Sequence, residues 1–189
     1  MALPMEIKNW HIPLSEGLQN LGETYDNFRT MAADQNDIPL IVQLVENPKF
    51  SFPGINFFDG ATDLKTHDYI HILLSRGAMP KDEAFVLGFT MGSTNKMTRT
   101  EEKVYSFCSQ YLYPKVYQFS DSDIKTFKDA VRLGFISDCI PLDKVDYTLF
   151  REMSIDEARE AIGIEKQLLG AYFTIEKKRH PDSFESKRL

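Results

Sequence analysis

The chain has 189 residues, of which 42% are hydrophobic and 12% aromatic, and it carries a formal net charge of −6. A chain of this length and composition can bury one real core, which excludes a disordered protein and leaves too few residues for two comfortable domains. The acidic balance argues against a nucleic-acid binder held by phosphate contacts and against tight electrostatic attachment to anionic lipid.

The cysteines and the first residues bear on location. Cys108 and Cys139 follow no metal or redox spacing, so they favour a reducing compartment and roles as small core residues. The first residues lack the charge and apolar core of a signal peptide, and no apolar run approaches the ~18 residues of a membrane span. We therefore expect a cytoplasmic protein with no nucleic-acid partner.

The first third of the chain predicts two helices and a loop. Apolar residues recur every three or four positions and indicate an amphipathic helix that begins near Ser15. These residues are Leu14, Leu18, Leu21, Tyr25, Phe28 and Ala32. A short apolar helix is predicted over 38–45, followed by an irregular aromatic loop over 48–62.

Residues 63–76 and 80–92 then predict a helical hairpin. Gly77 is expected to end the first helix as its C′ residue. Pro80 suits the first turn of the second helix, and Asp82 and Glu83 suit its positive N-terminal end.

The second half of the chain predicts further helices. Thr98 or Thr100 can cap one that Pro114 ends, and 115–119 could form a short extended piece. Ser120 opens the next helix, and 138–153 form a connection. Ser154 begins a capping box for a helix that Gly163 can close.

A last helix over about 165–178 and a polar, solvated tail from about residue 180 complete the pattern. We thus predict an all-α single domain over 1–189, a bundle of about seven helices with a metal-binding hairpin.

The metal prediction depends on side chains that share one face of the apolar hairpin. His67 and His71 are spaced i,i+4, and Asp68 and His71 are spaced i,i+3. Glu83 follows Gly77 by six residues and His71 precedes Gly77 by six. In a helical hairpin, His71 and Glu83 therefore come level with each other. Buried imidazoles and carboxylates need partners. This set suits zinc, iron or manganese, and magnesium less well. The alternative is structural, with histidines bonded to neighbouring groups and carboxylates acting as caps.

The same residues carry a family resemblance. The spacing His-Asp-x2-His-x11-Glu, with Leu73-Leu74, Gly77, Pro80 and the apolar run 83–89, resembles the signature of the coenzyme Q (ubiquinone) biosynthesis protein four family. Residues 157–164 are also similar. The resemblance implies an all-helical protein that binds a divalent ion through His67, Asp68, His71 and Glu83 and holds a polyprenyl lipid.

The resemblance further implies a role in removing the C1 carboxyl group of the prenylated ring precursor, with hydroxylation there. It also implies a homodimer, peripheral membrane contact and partners from the same pathway. A non-catalytic scaffold or chaperone that binds prenyl lipid is the alternative.

Two further inferences complete the functional prediction. An HD-type metal-dependent phosphohydrolase ranks third, because His67-Asp68 is the core dyad of that class but His11 is the one histidine upstream. The 14 phenylalanines suggest an elongated apolar cavity that opens toward the metal and holds a prenyl tail.

Overall fold

A computed structural model describes residues 9–31 and 60–189 of the chain, and this part forms one all-α domain. Its eight α-helices are α1 (Leu21–Arg29), α2 (Leu64–Leu73), α3 (Pro80–Ser93), α4 (Arg99–Phe107), α5 (Asp121–Ile136), α6 (Ile155–Ile162), α7 (Lys166–Arg179) and α8 (Phe184–Arg188). The described residues contain no strand, only an isolated antiparallel bridge between Asn20 and Ser154. The all-α prediction is therefore confirmed, whereas the helix over 38–45 and nearly all of the loop over 48–62 lie outside the described residues.

Local capping explains where most helices begin. At Thr98, Ser120 and Ser154 the side chain accepts a bond from the backbone three residues on, and the acidic residue there bonds back to the cap. Gly163 ends α6 in the left-handed conformation with a φ of 86°. These boundaries agree with the predicted ones.

The first helix begins later than its apolar pattern predicts. It starts at Leu21, with Asn20 as its N-cap, rather than near Ser15. The backbone N–H of Leu21 donates to the carbonyl of Met153 at 2.9 Å, so the segment before α1 is held in the bridge beside α6. A pattern within one segment cannot anticipate this contact across the chain.

The end of α2 also differs from the prediction. The helix stops at Leu73, and Ser75, with a φ of 50°, takes the left-handed conformation expected of Gly77. The buried guanidinium of Arg159 donates to the Leu73 carbonyl at 2.8 Å and to the Ser75 hydroxyl at 2.7 Å. A distant arginine thus caps the carbonyl end of α2 in place of a glycine turn.

Two later segments need correction. Lys115–Tyr117 is a single 3-10 turn rather than an extended piece, because the backbone N–H of Tyr117 donates to the carbonyl oxygen of Pro114. Residues after 180 are not a solvated tail but form α8, which packs back on the domain. Leu189 contacts the larger core cluster, and the Arg188 side chain is only 12% exposed.

Helix α3 is buried along almost its whole length and runs closely against α5. Glycines make this close approach possible: a Cβ at Gly92 would lie 2.2 Å from the carbonyl oxygen of Val131, and one at Gly134 would lie 2.2 Å from that of Phe89. The other side of α3 joins α2, α6 and α7 in the larger core cluster. Both helices of the predicted hairpin are therefore fixed by the core, and no helix of the described part is long and apolar enough to cross a membrane.

Candidate metal centre

Two neighbouring helices bring three polar side chains together beside the core. His67 and His71 lie one turn apart on α2, whose N-cap is Asp63, and the Asp63 side chain accepts from the N–H of Thr66. Glu83 lies in the first turn of α3, after Pro80 at the first helical position. The partial positive charge at the start of α3 favours a carboxylate there.

The donor atoms of these three side chains, here called the ligand triad, form a small triangle. His67 Nε2 lies 2.9 Å from His71 Nε2 and 2.9 Å from Glu83 Oε2. The third edge, from His71 Nε2 to Glu83 Oε2, is 3.3 Å. The three atoms thus converge on one point from two helices.

These edges match what one metal ion requires. Two donor atoms bound at about 2.1 Å to one ion lie about 3.0 Å apart at neighbouring octahedral positions and about 3.4 Å apart at tetrahedral ones. The observed 2.9–3.3 Å falls in this range. His67, His71 and Glu83 therefore form a group that could hold a metal ion.

The orientation of His71 leaves the correct nitrogen for a ligand. Its Nδ1 lies 2.8 Å from the carbonyl oxygen of Gly77, which can only accept, so Nδ1 carries a proton. In the neutral ring Nε2 then offers a lone pair to the triad, as in many metal-bound histidines whose other nitrogen is held by a carbonyl.

Proton counting shows that the triad is rich in lone pairs. While both imidazoles are neutral, only His67 Nε2 can supply a proton between three acceptor atoms that lie 2.9–3.3 Å apart. A divalent cation would satisfy all three at once. Without one, neutral imidazoles place at most one proton between the three atoms.

The solvent exposure of the three side chains increases from His71 through His67 to Glu83. The side chain of His71 is 1% exposed, that of His67 16% and that of Glu83 32%. Burial alone would raise the pKa of Glu83, but the imidazoles of His71 and His67 outweigh burial and hold that pKa well below its usual range. Glu83 is thus a carboxylate at neutral pH, on the side from which a substrate could approach.

Asp68, the fourth predicted ligand, does not join the triad in this structure. Its Oδ2 accepts from Arg29 Nη1 of α1 at 2.9 Å, and the residue is buried. On α2 it follows His67 by about 100° of rotation, which turns it toward α1. Burial raises the pKa of Asp68, although the two histidines and Arg29 oppose this. The Arg29 guanidinium therefore pairs with the Asp68 carboxylate that the sequence spacing assigns to the metal.

Two contributors to the group escape sequence reasoning. The backbone carbonyl of Gly77 orients His71, whereas the sequence pattern indicates Gly77 only as a helix-ending residue. No sequence pattern identifies a single backbone carbonyl as a hydrogen-bond partner. The Phe28 ring of α1 lies 6.1 Å from the His71 ring and covers it from the core side. Only the packing of α1 on α2 brings Phe28 to this position.

A second polar cluster lies beside the loop between α2 and α3. We call Arg76, Asp82, Glu176 and Arg188 the buried charge network. Arg76 Nη2 and Nη1 donate to the two Glu176 oxygens at 2.7 and 3.2 Å, and Arg76 Nη1 lies 3.9 Å from Asp82 Oδ1. Arg188 Nη2 donates to Asp82 Oδ2, which completes a set of two positive and two negative side chains.

The apolar space predicted beside the metal is not tested by what the structure describes. In the core, the Phe85 ring packs against the rings of Phe89, Tyr172 and Phe173. One apolar groove of about 400 Å³ lies near the opposite end of α3 from Glu83. Its lining residues are Gly92, Met97, Val131, Arg132, Phe135 and Ile136.

No family model, curated protein or solved structure matches the chain.

Proposed function

We propose that this protein binds one divalent metal ion through His67, His71 and Glu83. The observation that supports it is the triangle of donor atoms with edges of 2.9, 2.9 and 3.3 Å. Two imidazoles and one carboxylate suit zinc, iron or manganese better than magnesium. Three protein ligands leave at least one position for water or substrate, the arrangement typical of catalytic sites.

In such a site, a bound ion would supply Lewis-acid polarisation of a carboxylate or ring oxygen. The chain's own groups prepare the site: Gly77 fixes the tautomer of His71, and the start of α3 favours the anionic form of Glu83. Arg29 neutralises Asp68, so the triad keeps a single negative charge and a bound divalent ion keeps a net positive charge. That charge would favour an anionic substrate.

We also propose that the substrate is a polyprenylated aromatic acid and that the protein acts in ubiquinone-type biosynthesis, in C1 decarboxylation with hydroxylation, in which the carboxyl group leaves as CO₂ and dioxygen is the oxidant and the source of the new hydroxyl oxygen. The motif from His67 to Glu83 supports this assignment. A homodimer in the cytoplasm, with peripheral membrane contact and other pathway proteins as partners, belongs to the same proposal. A lyase and a non-catalytic prenyl-lipid chaperone would use the same metal site, but only the lyase would turn over the substrate.

The third candidate, an HD-type phosphohydrolase, receives less support. That class uses the aspartate of the His67-Asp68 dyad at the metal, whereas Asp68 here pairs with Arg29 at 2.9 Å. The ion pair leaves the carboxylate poorly placed for that role.

The test of the substrate proposal compares ligands that share one head group. Binding of an aromatic acid with no tail, one isoprene unit and several units is measured on metal-loaded protein, with Glu83→Gln as the matched variant. Each buried isoprene unit should add about 1–3 kcal/mol, and Glu83→Gln should weaken all ligands alike through the head group. Affinity that does not depend on tail length would contradict the lipid assignment, and release of CO₂ would separate the lyase from the chaperone.

A further inference from the structure

The loop between α2 and α3 connects two members of the ligand triad. His71 lies just before it, and Glu83 just after it. Gly77, in the middle of the loop, supplies the carbonyl that holds His71 Nδ1 at 2.8 Å. Asp82, directly before Glu83, bonds back to the N–H of Met79 at the end of the loop. The position of this loop therefore sets the geometry of two of the three donors.

One side chain from the far end of the chain contacts both this loop and the first turn of α3. Arg188 of α8 donates from Nη2 to Asp82 Oδ2. The same Nη2 lies against the backbone of Gly77, because a Cβ built at that glycine would be only 2.0 Å from it. The carbonyl oxygen of Trp10 would lie 2.6 Å from the same Cβ, so the loop is enclosed from two directions.

The contact is held in place by the core. The Asp82 side chain is fully buried, and that of Arg188 is 12% exposed. Helix α8 is fixed by the Ser186 hydroxyl, which donates to Glu176 Oε1 at 2.9 Å, and by Leu189, which contacts the larger core cluster. Glu176 in turn binds Arg76 of the loop. Arg188 thus lies in a rigid frame and not on a mobile surface.

From these contacts we infer that Arg188 is a positioning residue for the metal centre, acting through Gly77 on His71 and through Asp82 on Glu83. The inference rests on the proposed metal function. Arg188 contacts Gly77 and Asp82 and reaches the triad through these two residues. Its planar guanidinium can bond a carboxylate and pack flat on a glycine at the same time, which a lysine ammonium cannot.

The experiment compares Arg188→Gln, Arg188→Lys and the control Arg179→Gln. Arg179 pairs with Asp129 between α7 and α5, so its loss removes an arginine ion pair without touching the loop. Cobalt affinity of the full chain is measured by competition, together with the visible spectrum of bound cobalt, at a temperature where circular dichroism shows each protein folded. The exchange rate of the His71 Nδ1 proton is measured by NMR in metal-free protein.

Arg188→Gln should weaken cobalt binding by roughly 10–100-fold, as expected for an outer-shell residue that orients ligands. It should also change the cobalt spectrum and speed exchange of the His71 proton by about tenfold or more. Arg188→Lys should lie between this variant and the unsubstituted protein, and it carries the test if Arg188→Gln does not fold. Arg179→Gln should match the unsubstituted protein in all three measurements.

Two results would overturn the inference. One is an Arg188→Gln protein whose affinity, spectrum and proton exchange equal those of the unsubstituted chain. The other is an equal loss of affinity in Arg188→Gln and Arg179→Gln, which would indicate general destabilisation. If the unsubstituted protein binds no cobalt, the proposed function fails, and the proton exchange alone decides whether Arg188 holds Gly77 in place.

Discussion

The ligand triad and the buried charge network both include residues that flank the loop between α2 and α3, yet their side chains are satisfied differently. The network combines two guanidinium groups with two carboxylates, so its formal charges cancel, although Arg76 Nε and Asp82 Oδ1 have no hydrogen-bond partner among the described residues. The triad combines two imidazoles with one carboxylate, and its three donor atoms face one another at 2.9–3.3 Å. A buried cluster in which positive and negative side chains pair with one another indicates a structural role, whereas a surplus of lone pairs indicates a site for a cation.

The pKa values of the carboxylates in both clusters depend on burial and on their charged neighbours. In the network, burial alone would raise the pKa of Glu176, but Arg76 outweighs burial and lowers it. In the triad, burial alone would raise the pKa of Glu83, but His71 and His67 outweigh burial and lower it. Burial raises the pKa of Asp82, the other carboxylate of the network, although Arg188 and Arg76 oppose this, so the charge of Asp82 depends on both arginines.

The largest effect on stability is expected from breaking the network. Glu176→Gln leaves the fully buried Arg76 without its main carboxylate, which should lower the free energy of unfolding by about 3–5 kcal/mol in urea titrations. The exposed control Arg179→Gln should cost less than about 1 kcal/mol. Equal losses in the two variants would contradict a special role for the buried pair.

The next effect concerns metal affinity and separates the two acidic residues of the motif. Glu83→Gln and Asp68→Asn each remove one negative charge near the histidines, so a difference between them reports coordination and not charge. Zinc competition titrations should show a loss of about 100-fold or more for Glu83→Gln and under about tenfold for Asp68→Asn. Equal losses would return Asp68 to the ligand set and imply that it leaves Arg29 when metal binds.

Removal of the metal should have a moderate effect on stability. A chelator should lower the melting temperature by several degrees, in line with about 1–4 kcal/mol of linkage for an ion well above its dissociation constant. The double variant His67→Ala with His71→Ala should melt at one temperature with or without chelator. An unchanged melting curve for the unsubstituted protein after verified metal removal would show that the ion is incidental to the fold.

The smallest effect is a pH dependence beside the network. Burial, together with Arg188, lowers the pKa of His11 from 6.5 to about 4, so His11 is neutral in the folded protein. Its contribution to stability is therefore full above pH 6.5 and is lost as the pH falls toward 4. Metal-free His11→Gln should lose less melting temperature than the unsubstituted metal-free protein over this range. Parallel pH profiles would mean that His11 titrates normally.

Much of the fold follows from local sequence. Helical periodicity and capping boxes at Thr98, Ser120 and Ser154 predict the starts of α4, α5 and α6, because each cap depends on residues three apart. The convergence of His67, His71 and Glu83 is equally local. An i,i+4 pair and a symmetric turn place these side chains level with one another.

What local sequence misses are partners from far along the chain. Asp68 is engaged by Arg29, 39 residues away, and Arg76 by Glu176, 100 residues away. Ser75 replaces Gly77 as the left-handed residue because Arg159 reaches it from α6. These contacts depend on how helices pack, and no spacing rule within one helix specifies which arginine meets which carboxylate.

The most direct test of the account is the metal content of the purified chain after reconstitution with zinc, measured beside His67→Ala with His71→Ala. The account predicts about one equivalent for the unsubstituted protein and none for the double variant. X-ray absorption should then find imidazole nitrogen and carboxylate oxygen at about 2.0–2.2 Å and no sulfur. Absence of bound metal in the unsubstituted protein, or equal occupancy in the double variant, would contradict the central claim.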